Sequence, residues 1–229
     1  MSDFLAALQE SVLLCDGGTG SRVQEMSLDV ARDYWGKENC TDVLNLSRPD
    51  IVREIHRGYL AAGADMVETN SFGGSPITLG EFDLASEARK INLTAAQLAR
   101  EAVDEFKSDG RKRYVLGSIG PGTKLPTLGH IDYDTLEAAF AVQAGGLIAG
   151  GVDAILIETA QDLLQVKAAV NGSRLAFASE QRSVPLMVQV TVEATGTLLI
   201  GSDIAAAATV INALDVPVIG LNCATGPQE

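Results

Sequence analysis

Basic residues are scarce in this 229-residue chain: 17 Lys and Arg stand against 30 Asp and Glu, a formal net charge of −13 and a pI near 4.5. Nucleic acid and anionic membranes are bound through Lys and Arg, so neither is expected as a partner. Cysteine is also sparse. Cys15, Cys40 and Cys223 are odd in number and show no C-x-x-C spacing. That excludes a disulfide framework and points to a reducing compartment, hence a cytoplasmic setting. The N-terminal stretch MSDFLAALQE carries Asp and Glu where a secretory signal needs Lys or Arg. No long uninterrupted apolar run is present. The nearest to one, AAFAVQAGGLIAGGVDAILI at 138–157, holds Gln143, four glycines and Asp153. It reads as helix, turn and strand of a globular protein, not a membrane span. Linkers, low-complexity segments and composition breaks are absent too, so one domain over 1–229 is expected.

What is present is an alternation of short apolar runs and longer helical patterns. Strands are predicted at Val12–Cys15, Met66–Thr69, Tyr114–Ser118, Ala154–Glu158, Leu186–Val192 and Val218–Leu221. Helices are predicted at Pro49–Ala62, opened by Pro49 and stopped by Gly63, at Leu84–Phe106, and at Asp134–Ile148 with Asp134 as N-cap. Two more are predicted at Leu163–Phe177 and Ile204–Leu214. Near-continuous apolar strands separated by helices predict a parallel sheet covered by helices.

An open nucleotide-binding sheet should carry a glycine fingerprint after its first strand. DGGTG at 16–20 is glycine-rich but is not G-x-G-x-x-G. Polar residues instead recur at the strand C-termini: Asp16, Glu68 and Asn70, Ser118, Glu158, Thr191 and Glu193, Asn222 and Cys223. (βα)8 barrels build active sites on that rim, so the expected fold is α/β, a TIM-type (βα)8 barrel truncated after about six units. One internal echo supports repeated units. AGADMVET at 62–69 and GGVDAILIET at 150–159 both end a strand in Glu-Thr, with an odd Asp-to-Glu spacing in each. Pleat alternation then aims Glu68 and Glu158 to one face.

Each candidate site residue has a plain alternative. Cys223 is either a small buried residue at a strand end or a thiolate on the rim. Glu158 closes the apolar strand ILIET, where a carboxylate needs a cation, a substrate ammonium or a neighbouring Lys or Arg. Asp16 binds substrate or caps its own loop, and Gly17 and Gly18 allow close backbone approach to a ligand. Asn70 and Thr159 are weaker candidates. Cys15 is expected to point between strand and helix. His56 falls in a helix pattern and His130 in a loop, so spacing alone does not complete a zinc site.

Five collinear stretches, LLCDGGTGSRVQE, NLSRPDIVREIHRGYLAAGADMVETNSFGG, GSIGPGTKLPTLG, GGVDAILIETAQDLLQVKAAV and IGLNCATGPQE, together resemble the homocysteine S-methyltransferase family. They are most similar to the homocysteine-binding module of its cobalamin-dependent, methionine-synthase branch, and cover residue 13 to the last residue. The resemblance implies a zinc-dependent methyl transfer to the thiol of homocysteine, giving methionine. It implies Zn2+ held by three cysteines. Cys223, following Asn222, matches the first ligand, and the other two form a pair expected beyond the chain end. It implies Glu158 on the substrate ammonium, with Asp16, Gly17 and Gly18, and more weakly Asn70 and Thr159, lining the same pocket. The implied methyl donor is methylcobalamin, carried by a cobalamin-binding module in cis or in trans. The alternatives are a cobalamin-independent enzyme using S-adenosylmethionine or S-methylmethionine, and an inactive fragment lacking the full zinc site.

Overall fold

The computed structural model describes residues 2–224. In chain order the elements are α1 (Asp3–Glu10), α2 (Thr19–Gln24), α3 (Leu44–Ser47), α4 (Pro49–Ala62), β1 (Met66–Glu68), α5 (Pro76–Gly80), α6 (Ala88–Glu105), β2 (Tyr114–Ile119), α7 (Tyr133–Gly150), β3 (Ala154–Ala160), α8 (Leu163–Ser179), β4 (Leu186–Val190), α9 (Ile204–Ala213) and β5 (Val218–Leu221). The strands form one parallel sheet in sequential order, β1 to β5. Sequential parallel order with a helix in each crossover is barrel winding, since a doubly wound sheet reverses its order.

Alternation along the strands sorts the core. Val67, Val115, Ile119, Ile155, Ile157, Val188 and Val190 face the helices, where they pack with α6, α7 and α8. The other parity faces the concave side. Met66, Tyr114, Leu116, Ala154, Leu156 and Met187 fill its lower part, closed from beneath by Phe4 of α1. Phe4 meets the Tyr114 ring edge-on at 5.3 Å. One step further along the same parity come Glu68, Ser118, Glu158 and Gln189. The apolar plug thus ends where the polar rim begins.

Several boundaries differ from the sequence reading. The strand predicted at 12–15 shrinks to a single bridge, Cys15 to Met66. Among the described residues it has no neighbour on its other side, and Val12 and Leu14 are exposed. The N-cap of α7 is Asp132 in place of Asp134: its carboxylate accepts from the Thr135 amide at 2.8 Å and hydroxyl at 2.7 Å. The helix predicted from Leu84 opens with a 3-10 turn at Ala85–Glu87 before α6. α1, α2, α3 and α5 had no counterpart in the sequence reading. α1 is capped by Ser2, whose hydroxyl accepts from the Leu5 amide.

Other expectations hold. α4 keeps its predicted bounds, with Pro49 in its first turn and Gly63 left-handed at φ +111°. The stretch 138–157 is the end of α7, a left-handed Gly151 and the start of β3. Among the described residues no helix is long and apolar enough to cross a membrane. Five strands and one bridge make six staves, matching the expected six units. Among the described residues the sheet stays open, with Ile219 and Leu221 of β5 exposed at one edge.

Candidate functional site

A cavity of about 510 Å³ opens at the C-terminal ends of the strands. Its wall includes Asp16, Gly17, Gly18, Asn70 and Glu158 from the predicted set, together with Cys15, Glu68, Ser118, Gln189 and Asn222. Among the described residues, no Lys, Arg or His lines it. The parity inferred for Glu68 and Glu158 is realised, as both reach the same space.

Glu158 is buried at the end of β3. Ser118 Oγ donates to its Oε1 at 2.6 Å, and Asn222 Nδ2 to its Oε2 at 3.2 Å. Burial raises its pKa, and the hydrogen bonds from Ser118 and Thr159 oppose that rise. Asp16 follows the single bridge. Its Oδ2 accepts from the Glu68 amide at 3.0 Å, which ties the first loop to β1. Burial pushes Asp16 up to about 7. Glu68 is pushed up to about 8, first by burial and then by the charges of Glu158 and Asp16. Among the described residues lining the cavity, these three carboxyl groups have no cationic side chain to balance them when ionised.

Cys15 corrects the sequence reading. Its thiol does not turn between strand and helix; it lines the cavity, 3.4 Å from Glu68 Oε1 and 3.5 Å from Asp16 Oδ1. Burial, followed by those two charges, raises the thiol far above the ordinary cysteine range. It is a hydrogen-bond donor here, not a nucleophile. Among the described residues, Cys15, Asp16 and Glu68 are the one group of three such side chains whose ligand atoms converge, within 4.8 Å of one another.

The remaining candidates are placed as follows. Gly17 packs against Tyr59, whose ring and hydroxyl a Cβ would meet at 3.1–3.2 Å. Tyr59 Oη donates to the Gly18 carbonyl at 3.2 Å. The Asn70 side-chain amide donates to the Thr41 carbonyl at 2.8 Å and Asn45 Oδ1 at 3.4 Å. Thr159 has φ +56°, at a break in the β3–β4 register between Ile157 and Ala160. Cys223 is exposed on the rim with φ +58°, its sulfur 3.8 Å from Thr159 Oγ1 and 3.7 Å from Asn222 Nδ2. The segment 225–229, which ends the last matching stretch, lies outside the described residues.

Ser118, Gln189 and Asn222 were not singled out as site residues. Gln189 had a signal in the sequence: it is the one polar residue in the apolar run LMVQV, on the concave parity. His56 is fully buried with neither ring nitrogen hydrogen-bonded, so it is a packing residue away from the site.

Comparison with known proteins gives the family and agrees with the fold. The family model for homocysteine S-methyltransferase matches residues 13–229. Methionine synthase of Mycobacterium tuberculosis is 50% identical over 228 residues, and that of Mycobacterium leprae 49%. Each match covers all of this chain and 19% of the relative, so the chain spans about a fifth of the length of these curated relatives. Among solved structures, the homocysteine methyltransferase MmuM of Escherichia coli in its metallated form superposes with a TM-score of 0.78 at 20% identity. That match covers 95% of this chain and 77% of MmuM.

Proposed function

The chain belongs to the homocysteine S-methyltransferase family, and from that premise we propose that residues 1–229 are the homocysteine-binding part of a methionine-forming methyltransferase. The observation that carries the reading is Glu158. It is a buried carboxylate with a protein donor on each oxygen and no cationic side chain among the described residues, facing a cavity whose other charged groups are also acidic. An amino acid's ammonium fits that deficit. Its carboxylate is then kept from the acidic wall and falls to backbone donors of the Gly17–Gly18 loop. The thiol end of a homocysteine held this way points out toward the rim, where Cys223 stands.

Cys223 is proposed as one zinc ligand. It belongs to no convergent group of three Cys, His, Asp or Glu side chains among the described residues. A catalytic zinc site needs three protein ligands, so the described residues alone do not hold the ion. The chain's own contribution is binding and orientation. Glu158 fixes the ammonium, Ser118 and Asn222 fix Glu158, and the substrate sulfur is left exposed to a methyl group arriving from the open face. Methylcobalamin is the proposed methyl source, on a cobalamin-binding module that docks over this rim. The fourfold greater remaining length of the relatives supports such a module in cis. A cytoplasmic setting goes with the same reading.

The test is calorimetric titration of the full-length protein with homocysteine. Glu158→Gln keeps the size of the side chain and one of its two accepting oxygens but removes the charge, and losing one charge-assisted contact raises Kd by about tenfold or more. An unchanged Kd would remove Glu158 from the ammonium site and the reading with it.

A further inference from the structure

Asn222 does not belong to β5 alone. Its backbone amide donates to the Val190 carbonyl of β4 at 3.3 Å, and its carbonyl accepts from Thr191 Oγ1 at 3.1 Å. Its side chain reaches over β4 to the end of β3. There Oδ1 accepts from the Thr159 amide at 2.9 Å, while Nδ2 donates to Thr159 Oγ1 at 2.8 Å and to Glu158 Oε2 at 3.2 Å. Every polar atom of Asn222 is used, and the amide has one workable orientation. A flip would set NH2 against the Thr159 N–H and the amide oxygen against a carboxylate.

The backbone explains the arrangement. Between Ile157 and Ala160 the β3–β4 register breaks, and Thr159 turns left-handed, a costly conformation for a β-branched residue. That turn takes the Thr159 amide out of the ladder and presents it to Asn222. Immediately after Asn222, Cys223 is left-handed as well. Two strained residues at the ends of β3 and β5 are held facing each other by one side chain between them. Strain at such a point persists only where the surroundings over-determine it.

We propose that Asn222 is a positioning residue that locks the Glu158 carboxylate in place and, through the same clamp on Thr159, sets where Cys223 stands relative to it. This rests on the reading of Glu158 as the ammonium site. Neither Gln nor Asp substitutes for Asn222. Gln is one methylene too long for the span, and Asp would set an oxygen against Glu158 Oε2, where a donor is needed.

The experiment is a double-mutant cycle in the full-length protein. The probe is 2-aminobutyrate, which carries the amino acid end of homocysteine without its thiol and so reports on the Glu158 pocket alone. Asn222→Ala should weaken the probe by about tenfold, comparable with loss of a hydrogen bond to a charged group. In a Glu158→Gln background the same change should cost less than about twofold, because a residue acting through Glu158 has nothing left to position. Equal losses in both backgrounds, or no loss in the parent, would overturn the proposal. If Glu158→Gln alone leaves the probe's Kd unchanged, the ammonium reading fails, and this one fails with it by a separate readout. Asn222→Ser repeats the cycle with a hydroxyl too short to reach Glu158, and it is expected to pattern with Ala. Should either variant unfold, a circular-dichroism melt identifies it, and the cycle is then read from the other.

Discussion

The thiol of Cys15 lies 3.4 Å from Oε1 of Glu68, and the pair lines the same cavity as Glu158. Burial first, and then the charges of Glu68 and Asp16, favour the protonated thiol, which donates to both carboxyl groups. Cys15, Asp16, Glu68 and Glu158 therefore share protons that a bound cation would displace.

The pH dependence of ammonium binding follows from that sharing. Asp16 and Glu68 are raised to about 7 and about 8, so at neutral pH part of the wall is uncharged. As pH rises these groups ionise and attraction for an ammonium grows, so affinity for 2-aminobutyrate should increase between about pH 6 and 8.5, while the ligand's own amine stays protonated. Glu68→Gln removes the higher-titrating of these two groups, so the rise should end at lower pH. Calorimetry across this range checks both statements. A Kd flat with pH in the parent, or an unshifted profile in the variant, contradicts them.

Much of this site was legible in the sequence, because period-2 alternation needs no tertiary information. The odd Asp-to-Glu spacings placed Glu68 and Glu158 on one face, and the structure puts both in one cavity. Pro49 and Gly63 bracketed α4 through backbone chemistry that is equally local. Two features were not legible, since each depends on a neighbour. The direction of Cys15 follows from its bridge to Met66, which turns a predicted strand into one paired residue. The clamp by Asn222 requires the register of β5 on β4 and the break after Ile157, and a single strand reveals neither.

His56 gives a stability signature away from the site. It is fully buried in α4, both ring nitrogens lack partners, and burial lowers its pKa to about 4. The unfolded chain takes up a proton near the ordinary histidine value of about 6.5, and the folded chain resists until about 4. His56 thus withdraws stability as pH falls through that window, by up to roughly 3 kcal/mol. The raised carboxyls act in the opposite direction over the same range, so the difference between parent and His56→Leu isolates the histidine. Urea unfolding at both ends of the window should show the variant gaining on the parent as pH falls. A constant difference would mean that His56 is not held neutral.

Gly150 tests the helix layer. The glycines of 138–157 first served to argue against a membrane span, and the structure gives them a packing role. A Cβ on Gly150 would lie 2.5 Å from Ala96 Cβ and 2.6 Å from the Leu93 carbonyl oxygen, both on α6. Alanine is the better helix former by about 1 kcal/mol. Overpacking against backbone costs about 1–3 kcal/mol, and α6 cannot retreat without disturbing its own core face. Gly150→Ala should therefore lower Tm despite its propensity. A higher Tm would show that α6 and α7 pack more loosely than this.

Cys223 carries the last prediction, which concerns metal. Its thiol is exposed on the rim, and the two groups near it, Thr159 Oγ1 and Asn222 Nδ2, are neutral. The two rim cysteines thus differ in their described contacts: Cys15 lies against two carboxyl groups, whereas Cys223 lies against a hydroxyl and an amide, and Cys223 is the one proposed as a ligand. With Cys223 as one ligand of the proposed three-thiolate site, Cys223→Ala in the full-length protein should lower bound zinc to a small fraction of the parent's, because such a site loses most of its affinity with one ligand. Cys15→Ala should leave zinc in place while shifting the pH profile of amine binding. Zinc by mass spectrometry on both purified variants decides the matter. Retention in Cys223→Ala would end its assignment as a ligand, and loss in Cys15→Ala would move the metal to the Cys15, Asp16 and Glu68 corner.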